Sequence, residues 1–315
     1  MATCWSASAR HWTRPGPGCS RGKPRRSRGW RDTAEGSHSP PTQQILGRFP
    51  RRCFRTWDCG ATQAVDHRVD YETSMATPFD PHAVQALNFD VFGTVVDWRT
   101  GIARAGRGMG RKHGIAADWE AFADAWRGQY QPQLEKVRSG SLGWTPLDTL
   151  HRLGLNAIAA DFGLEGLSDA EREALVRAWH KLDPWPDVVA GLDRLHERYL
   201  LATLSNGSLP LLAHMAKRAG LPWDAILGPP VVKHYKPQPE AYRLSAELLE
   251  LEPAACMLVA AHPSDLEAAQ AVGFRTAYVH RPREYGAGRG APWPRGDAFD
   301  LVCESFEELA DRMAD

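Results

Sequence analysis

Short apolar runs alternate with helical patterns along the chain from residue 84 onward. Four runs predict β-strands that stop at polar or glycine-containing turns: 86–92, 199–204, 257–261 and 276–279. The runs are apolar nearly throughout instead of alternating, which is typical of parallel strands covered on both faces. The pattern therefore predicts an α/β fold built on a parallel sheet.

The stretch between the first two predicted strands, 93–198, shows no strand pattern of its own. Apolar residues there recur at helical spacing, most clearly at Trp119, Phe122, Ala123, Trp126, Tyr130 and Leu134. A connection of this length exceeds a simple crossover. It predicts a helical domain over 101–185, inserted into a core formed by 84–100 and 186–315.

Residues 1–75 differ in composition, being rich in Arg, Gly, Pro and Ser with few apolar residues in series. Such a segment buries too little apolar surface to offset the entropy lost on ordering, so we expect disorder. Three interpretations compete: an organelle transit segment, a nucleic-acid-binding arm, or translated upstream sequence with the functional start at Met75. We favour the third, because the segment shows no clear amphipathic helix.

Charge and cysteine usage narrow the class of protein. The 38 Lys and Arg balance the 38 Asp and Glu, which gives no electrostatic reason to expect nucleic acid or an anionic membrane as partner. No apolar stretch approaches the ~20 residues that span a bilayer. Cys256 and Cys303 are isolated in the predicted core, and neither a Cys-x-x-Cys pair nor an apolar signal region is present. We expect a cytoplasmic protein, with organelle targeting by the tail as the alternative.

Polar residues gather where the predicted strands end. They are Asp90 after the first strand, Ser205 and Asn206 after the second, His262 and Asp265 after the third, and Lys236 in a loop before the helix that carries Tyr242. Ligands of open α/β sheets bind beyond the carboxyl ends of the strands. The sequence therefore predicts one site at this edge of the sheet.

Four of these segments resemble the ordered motifs of the haloacid dehalogenase superfamily. They are Phe89-Asp90-Val91-Phe92-Gly93-Thr94, Leu204-Ser205-Asn206-Gly207, Tyr235-Lys236-Pro237 and the segment around Asp265. All four occur in the superfamily's order, and the resemblance covers 84–315. It implies a Rossmann-like parallel-sheet core with an inserted helical cap domain, and Asp90 as a carboxylate nucleophile.

Two positions separate this chain from the superfamily's phosphatases. Phe92 stands where they carry an acidic general acid/base, and phenylalanine transfers no proton. Ala261 stands where they carry an acidic residue that helps to hold magnesium, which prefers carboxylate oxygens. Since general acid/base catalysis contributes about 10²–10⁴-fold, phosphatase activity is disfavoured.

The aromatic Phe92 and the segment Ala125-Trp126-Arg127-Gly128-Gln129-Tyr130 resemble the L-2-haloacid dehalogenase (type II) branch. Arg127 matches the arginine that this branch uses to bind halide, and a fixed guanidinium stabilises a departing anion. The competing interpretation of Arg127 is a solvated surface arginine.

The resemblance implies two displacements. Asp90 attacks the halogen-bearing carbon of a short (S)-2-haloacid, and water then hydrolyses the aspartyl ester to release the (R)-2-hydroxyacid. Lys236 keeps Asp90 ionised, Asp265 positions or activates the water, and neither metal nor cofactor is required. The implied substrate-binding residues are Phe92, Thr94, Ser205, Asn206, Tyr242 and His262, with Ser205 and nearby backbone amides on the substrate carboxylate.

The fourth motif departs from the dehalogenase pattern, with Ala260 in place of a serine and His262 in place of an asparagine. His262 either orients water or substrate, or makes a structural hydrogen bond to its loop. This leaves two alternatives open: a hydrolase of another activated carbon substrate, and a magnesium-dependent phosphatase. In each case the partner is a small molecule, and the resemblance adds an expected homodimer.

Overall fold

The computed structural model describes residues 79–314, and the predicted disordered tail over 1–75 lies outside them. A six-stranded sheet forms the centre, with strand order β3-β2-β1-β4-β5-β6 and every neighbouring pair parallel. The strands are β1 (Ala86–Phe89), β2 (Leu200–Leu204), β3 (Ala225–Leu227), β4 (Cys256–Ala260), β5 (Arg275–Val279) and β6 (Leu301–Cys303). The predicted Rossmann-like α/β architecture is confirmed.

The strands are apolar on both faces, as a parallel sheet covered on both sides requires. Leu87 and Phe89 of β1 point into the hydrophobic cluster that contains Phe306, whereas Ala86 belongs to a second cluster around Tyr242. Residues alternate between faces along a strand, so both faces need a helical layer. The helices outside the insertion are α6 (Val188–His196), α7 (Leu209–Ala219), α8 (Pro229–Val232), α9 (Pro239–Leu248), α10 (Pro263–Gln270) and α11 (Phe306–Ala314).

A helical insertion, which we define as residues 98–181, lies between β1 and β2. It contains α1 (Trp98–His113), α2 (Trp119–Gly128), α3 (Tyr130–Arg138), α4 (Leu147–Ile158), α5 (Asp169–Val176) and a 3₁₀ turn, Arg177–Lys181. The first helix begins at Trp98, where the Asp97 side chain caps it by accepting a hydrogen bond from the Thr100 amide. The division of the chain into core and inserted domain stays a prediction.

The interior of the insertion is aromatic, and α2 supplies much of it. Trp119, Phe122 and Trp126 are buried along one face of α2, as the helical spacing predicts. Trp126 meets Trp179 edge to face, with ring centroids 5.5 Å apart. Each large side chain buried this way contributes about 1.5–3 kcal/mol. The insertion thus has an aromatic interior of its own.

Two further observations concern the cysteines and the possibility of a membrane-spanning helix. Cys256 and Cys303 are both buried and free, as their isolated positions predict. In the part of the chain that the structure describes, no helix combines the length and apolar character needed to cross a membrane.

Candidate active site

Asp90 follows β1 directly, in the centre of the sheet, and its side chain is 11% exposed. One of its oxygens, Oδ1, accepts a hydrogen bond from Lys236 Nζ at 3.1 Å. The other, Oδ2, accepts from Thr94 Oγ1 at 2.9 Å and lies 3.1 Å from His262 Nδ1. Both oxygens are therefore fixed by side chains from three different segments.

These neighbours set the charge of Asp90. Burial alone favours the protonated acid, but the positive charge of Lys236 and the hydrogen bond from His262 outweigh burial and lower the pKa below its ordinary value. Asp90 is consequently an ionised, largely desolvated carboxylate at neutral pH. Removing the hydration shell from an anion increases its reactivity toward an electrophile.

Lys236 is positioned through its backbone as well as its side chain. Its amide donates to Asn206 Oδ1 at 2.8 Å, and its carbonyl accepts from Asn206 Nδ2 at 3.3 Å. The ammonium bridges Asp90 and Asp265. Burial would lower the Lys236 pKa, but the two carboxylates raise it above its ordinary value, so the residue is positively charged.

Asp265, in the first turn of α10, is shared between two donors. Oδ2 pairs with Lys236, and Oδ1 accepts a hydrogen bond from Tyr242 Oη at 2.5 Å. Burial, followed by the negative charge of Asp265, raises the pKa of Tyr242, so the phenol keeps its proton. Tyr242 thus fixes the carboxylate of Asp265, which in turn pairs with the ammonium of Lys236.

His262 stands between two carboxylates. Its Nδ1 faces Asp90, while its Nε2 lies 3.0 and 3.1 Å from the two oxygens of Glu284, which is 1% exposed. Trp98 Nε1 also donates to Glu284, at 3.1 Å. Burial would lower the pKa of His262, but the hydrogen bonds with Asp90 and Glu284 overcome it and raise the pKa to about 10.

Arg127 lies at the end of α2 and faces the same cavity. Its guanidinium carbon is 4.2 Å from the centroid of the Tyr130 ring and 5.5 Å from that of Trp98. Its buried Nη1 has no hydrogen-bond partner among the residues the structure describes. A cation held against π faces, with one N–H unpaired, has the chemistry that anion binding requires.

A cavity of about 380 Å³ separates the insertion from the edge of the sheet. Its lining consists of Asp90, Phe92, Arg127, Tyr130, Gln131, Arg138, Asn206, Lys236, Pro237, His262, Ser264, Asp265 and Tyr285. The volume falls within the range of small-molecule sites.

The structure brings together most of the residues singled out in the sequence. Those that line the cavity are Asp90, Phe92, Arg127, Asn206, Lys236, His262 and Asp265. Thr94, Ser205 and Tyr242 are buried behind the lining: Thr94 accepts from the Ala261 amide at 2.9 Å, and the Ser205 hydroxyl accepts from the Gly207 amide. Their contacts are with other protein groups.

Glu284 is the main residue that the sequence did not reveal, together with Trp98, Arg138 and Tyr285. Its place in the sequence was one available signal, because Glu284 follows β5 at the carboxyl edge where the other site residues lie. The long loop that carries it has no periodic pattern, so nothing in the sequence showed that it turns back over β1.

Metal ligation is not favoured by the way the carboxylates are engaged. Each oxygen of Asp90 and Asp265 already accepts a hydrogen bond from a protein group. Within residues 79–314, no group of three or more His, Cys, Asp and Glu side chains has an arrangement suited to a metal ion.

A family model described as haloacid dehalogenase-like hydrolase matches residues 84–273. Among curated proteins, hexitol phosphatase A of Escherichia coli (strain K12) is 30% identical over 224 residues, covering 70% of this chain and 91% of its own. An (S)-2-haloacid dehalogenase of Xanthobacter autotrophicus is 29% identical over 241 residues, covering 72% of this chain and 90% of its own.

Solved structures include a defluorinating L-2-haloacid dehalogenase that is 41% identical, with a TM-score of 0.72. The match covers 76% of this chain and 100% of that one. A second L-2-haloacid dehalogenase is also 41% identical, with a TM-score of 0.70 over 73% of this chain and 99% of its own.

Proposed function

The chain belongs to the haloacid dehalogenase-like hydrolase family, and we propose that it hydrolyses short (S)-2-haloacids to (R)-2-hydroxyacids without a metal ion. The observation that carries this proposal is the pairing of two charged groups across one cavity. Asp90 is an ionised, fixed carboxylate, and Arg127 is a cation with an unpaired N–H. A nucleophile on one side and an anion acceptor on the other are what displacement of a halide requires.

In the first step, a carboxylate oxygen of Asp90 forms a bond to C2 of the substrate while the carbon–halogen bond breaks. The electron pair leaves with the halide, which Arg127 stabilises. Attack from the side opposite the halogen inverts C2 and produces an ester between Asp90 and the acid. Lys236 and Thr94 hold the carboxylate in one orientation for this attack.

In the second step, water attacks the Asp90 carbonyl carbon, the ester bond to Asp90 breaks, and the 2-hydroxyacid departs. We assign removal of the water's proton to His262. Esterification removes the charge of Asp90, one of the two anions that raise the His262 pKa, so the imidazolium releases its proton to solvent and the neutral ring can act as a base. The ring takes a proton from the attacking water and passes it to the oxygen of the departing 2-hydroxyacid, and the regenerated Asp90 carboxyl group then gives its own proton to His262. Glu284, on the other ring nitrogen, stabilises the imidazolium that forms.

Asp265 receives a positioning role in this proposal. Its two oxygens are occupied by Lys236 and Tyr242, so it orients the ammonium that holds Asp90. Thr94 and Ser205 likewise act from behind the cavity wall. Asn206, which lines the cavity and also orients Lys236, is the second-motif side chain we assign to the substrate carboxylate.

The phosphatase alternative deserves a test, because one relative is named a hexitol phosphatase. Phe92 lines the cavity where a general acid would be needed, and the protonated His262 lies 3.1 Å from Asp90, where it repels a divalent cation. Both features favour carbon–halogen chemistry. The names of the dehalogenase relatives support it as well.

The cap domain, the cellular location and the oligomeric state of the enzyme are proposed as well. We propose that residues 101–185 act as a cap that closes the cavity from above, since Arg127 and Tyr130 belong to it. We further propose a cytoplasmic enzyme, supported by the two free buried cysteines, and a homodimer, supported by the resemblance.

The direct test incubates the full-length protein with (S)-2-chloropropionate and a chelator, and measures chloride and (R)-lactate. Equal amounts of both products are expected, with unchanged rate in the chelator. Asp90→Asn should lower the rate by about 10³-fold or more, whereas Asp193→Asn, at an exposed position on α6, should not. Absence of chloride together with magnesium-stimulated phosphate release from a hexitol phosphate would establish the phosphatase instead.

A further inference from the structure

The cavity is larger than a three-carbon acid needs and changes character from base to mouth. Asp90, Asn206 and Lys236 at its base are buried, whereas Gln131, Pro237 and Ser264 are exposed. Space beyond the reacting carbon is therefore polar and opens toward solvent. The side chains in this outer part therefore determine which chemical group is accepted at the far end of a substrate.

Arg138, the last residue of α3, lies in this outer part. Its side chain is 15% exposed and belongs to the cavity lining. Nη1 donates to the Lys236 carbonyl at 3.3 Å, Nη2 donates to Gln131 Oε1 at 3.2 Å, and Nε donates to Glu135 Oε2 at 2.9 Å. Two of the three partners are neutral.

The only negative partner of Arg138 among the described residues is Glu135, whose side chain is 63% exposed. An ion pair with so exposed a carboxylate is screened by water and weak. Arg138 therefore keeps most of its ability to attract a second anion from the cavity.

The charges at the base of the cavity already balance without Arg138. Three acidic groups (Asp90, Asp265, Glu284) face three basic ones (Lys236, His262, Arg127). A substrate with one carboxylate uses the base of the cavity only. Arg138 supplies positive charge beyond that set, at the mouth.

The Lys236 side chain gives the distance between Arg138 and the nucleophile. Arg138 contacts the Lys236 backbone carbonyl, and the ammonium of the same lysine contacts Asp90. The separation is thus at most that of an extended lysine residue, with its stem of four carbons, plus the contacts of 3.3 Å and 3.1 Å at its two ends. A substrate makes corresponding contacts at its own two ends. A substrate chain of similar length would reach from the attacked carbon to Arg138.

From this arrangement we propose, on the basis of the function proposed above, that Arg138 binds a second carboxylate, so that the enzyme prefers 2-halodicarboxylic acids of about six carbons over 2-halomonocarboxylic acids of the same length. The dehalogenation step is unchanged: Asp90 attacks C2, and halide leaves beside Arg127. The far carboxylate stays intact and forms a charge-assisted pair with the guanidinium.

The test compares (S)-2-chlorohexanedioate with (S)-2-chlorohexanoate, which differ only in the terminal carboxylate. The measured quantity is the ratio of their kcat/KM values, followed by chloride release from the full-length protein. We expect the ratio to favour the dicarboxylate by about tenfold, through KM, since one charge-assisted contact of about 1.4 kcal/mol corresponds to that factor.

Variants separate recognition by charge from a structural role. Arg138→Gln should lower the ratio by about tenfold, Arg138→Lys should retain part of it, and Glu135→Gln should raise it. Arg111→Gln removes the same charge from an exposed position on α1 and should leave the ratio unchanged.

Three results would overturn the proposal. A ratio of one or less in the native enzyme, or a ratio that Arg138→Gln does not alter, would remove the second carboxylate from the substrate class while leaving dehalogenation intact. Release of chloride from neither compound nor from (S)-2-chloropropionate would overturn the proposed function and this inference together.

Discussion

His262 contacts the proposed nucleophile, and its protonation state depends on the charge of Asp90. Its ring lies between Asp90 and Glu284, 3.1 and 3.0 Å from their nearest oxygens. While Asp90 is ionised, the imidazole is protonated and stabilises it. In the proposed mechanism, esterification of Asp90 lets the ring lose its proton to solvent and then accept one from water, so one residue serves the two steps in two charge states.

Replacing His262 by asparagine should separate the two steps. Attack by Asp90 continues, because Lys236 and Thr94 still hold the carboxylate, but hydrolysis of the ester slows by about 10²–10⁴-fold. Rapid-mixing measurements should show a burst of one halide per enzyme, and mass spectrometry should find the acid attached to the Asp90 peptide.

Asp265→Asn provides the comparison. If Asp265 were the base, the ester would accumulate in that variant and turn over normally in His262→Asn. If His262 is the base, Asp265→Asn should slow the first step, because Lys236 loses one of its two carboxylate partners.

Single residues were predictable where they belong to ordered motifs. Asp90, Lys236 and Asp265 were identified this way, and the structure places Lys236 in contact with both carboxylates. The catalytic roles of these residues stay predictions. Glu284 was not identified, because its position depends on how an aperiodic loop folds over β1.

At the scale of elements, the turn between β1 and α1 controls the geometry of the site. Gly93 lies in this turn with φ +92°, a conformation that side chains rarely adopt, and a Cβ there would overlap the Glu284 carboxylate. The turn therefore requires glycine for two reasons: its backbone conformation and the space needed by Glu284.

Gly93→Ala should lower the free energy of unfolding by about 1–3 kcal/mol and reduce turnover by displacing Glu284 from His262. Urea unfolding and steady-state kinetics measure the two effects. Gly108→Ala is the matched control, since Gly108 lies within α1 with open space around it, and alanine there should stabilise the helix by about 0.5–1 kcal/mol. Equal free energies of unfolding for Gly93→Ala and Gly108→Ala would contradict the requirement for glycine at position 93.

Elements were predictable in proportion to their length and periodicity. The four longer strands and the amphipathic α2 follow from apolar runs and helical spacing. The three-residue strands β3 (Ala225–Leu227) and β6 (Leu301–Cys303) did not, because three apolar residues are too few to distinguish a strand from other buried segments. Their places at the two edges of the sheet explain both their shortness and their weak signal.

At the scale of the whole molecule, the site joins segments that are distant in sequence. The strand edges supply Asp90 and His262, the helical insertion supplies Arg127, and the loop after β5 supplies Glu284. Ionised groups that are stabilised only in this assembly make the stability of the fold depend on pH.

The raised pKa of His262 fixes the sign of that dependence. A group whose pKa rises on folding stabilises the fold fully below its unfolded value of 6.5, and the contribution is lost as the pH approaches about 10. The difference in unfolding free energy between the native protein and His262→Asn should therefore shrink from about pH 6.5 to about pH 10. Denaturant titrations across this interval measure it, and a difference independent of pH would contradict the charged state assigned to His262.

The central claim is that Asp90, and not water, attacks the carbon that bears the halogen. A single turnover in H₂¹⁸O, with enzyme in excess over (S)-2-chloropropionate, tests it directly by mass spectrometry of the product and of the Asp90 peptide. The mechanism predicts unlabelled 2-hydroxyacid and one heavy oxygen in the Asp90 side chain, because water enters at the carboxyl carbon of the ester. Heavy oxygen in the hydroxyacid and none in Asp90 would show direct attack by water and contradict the account.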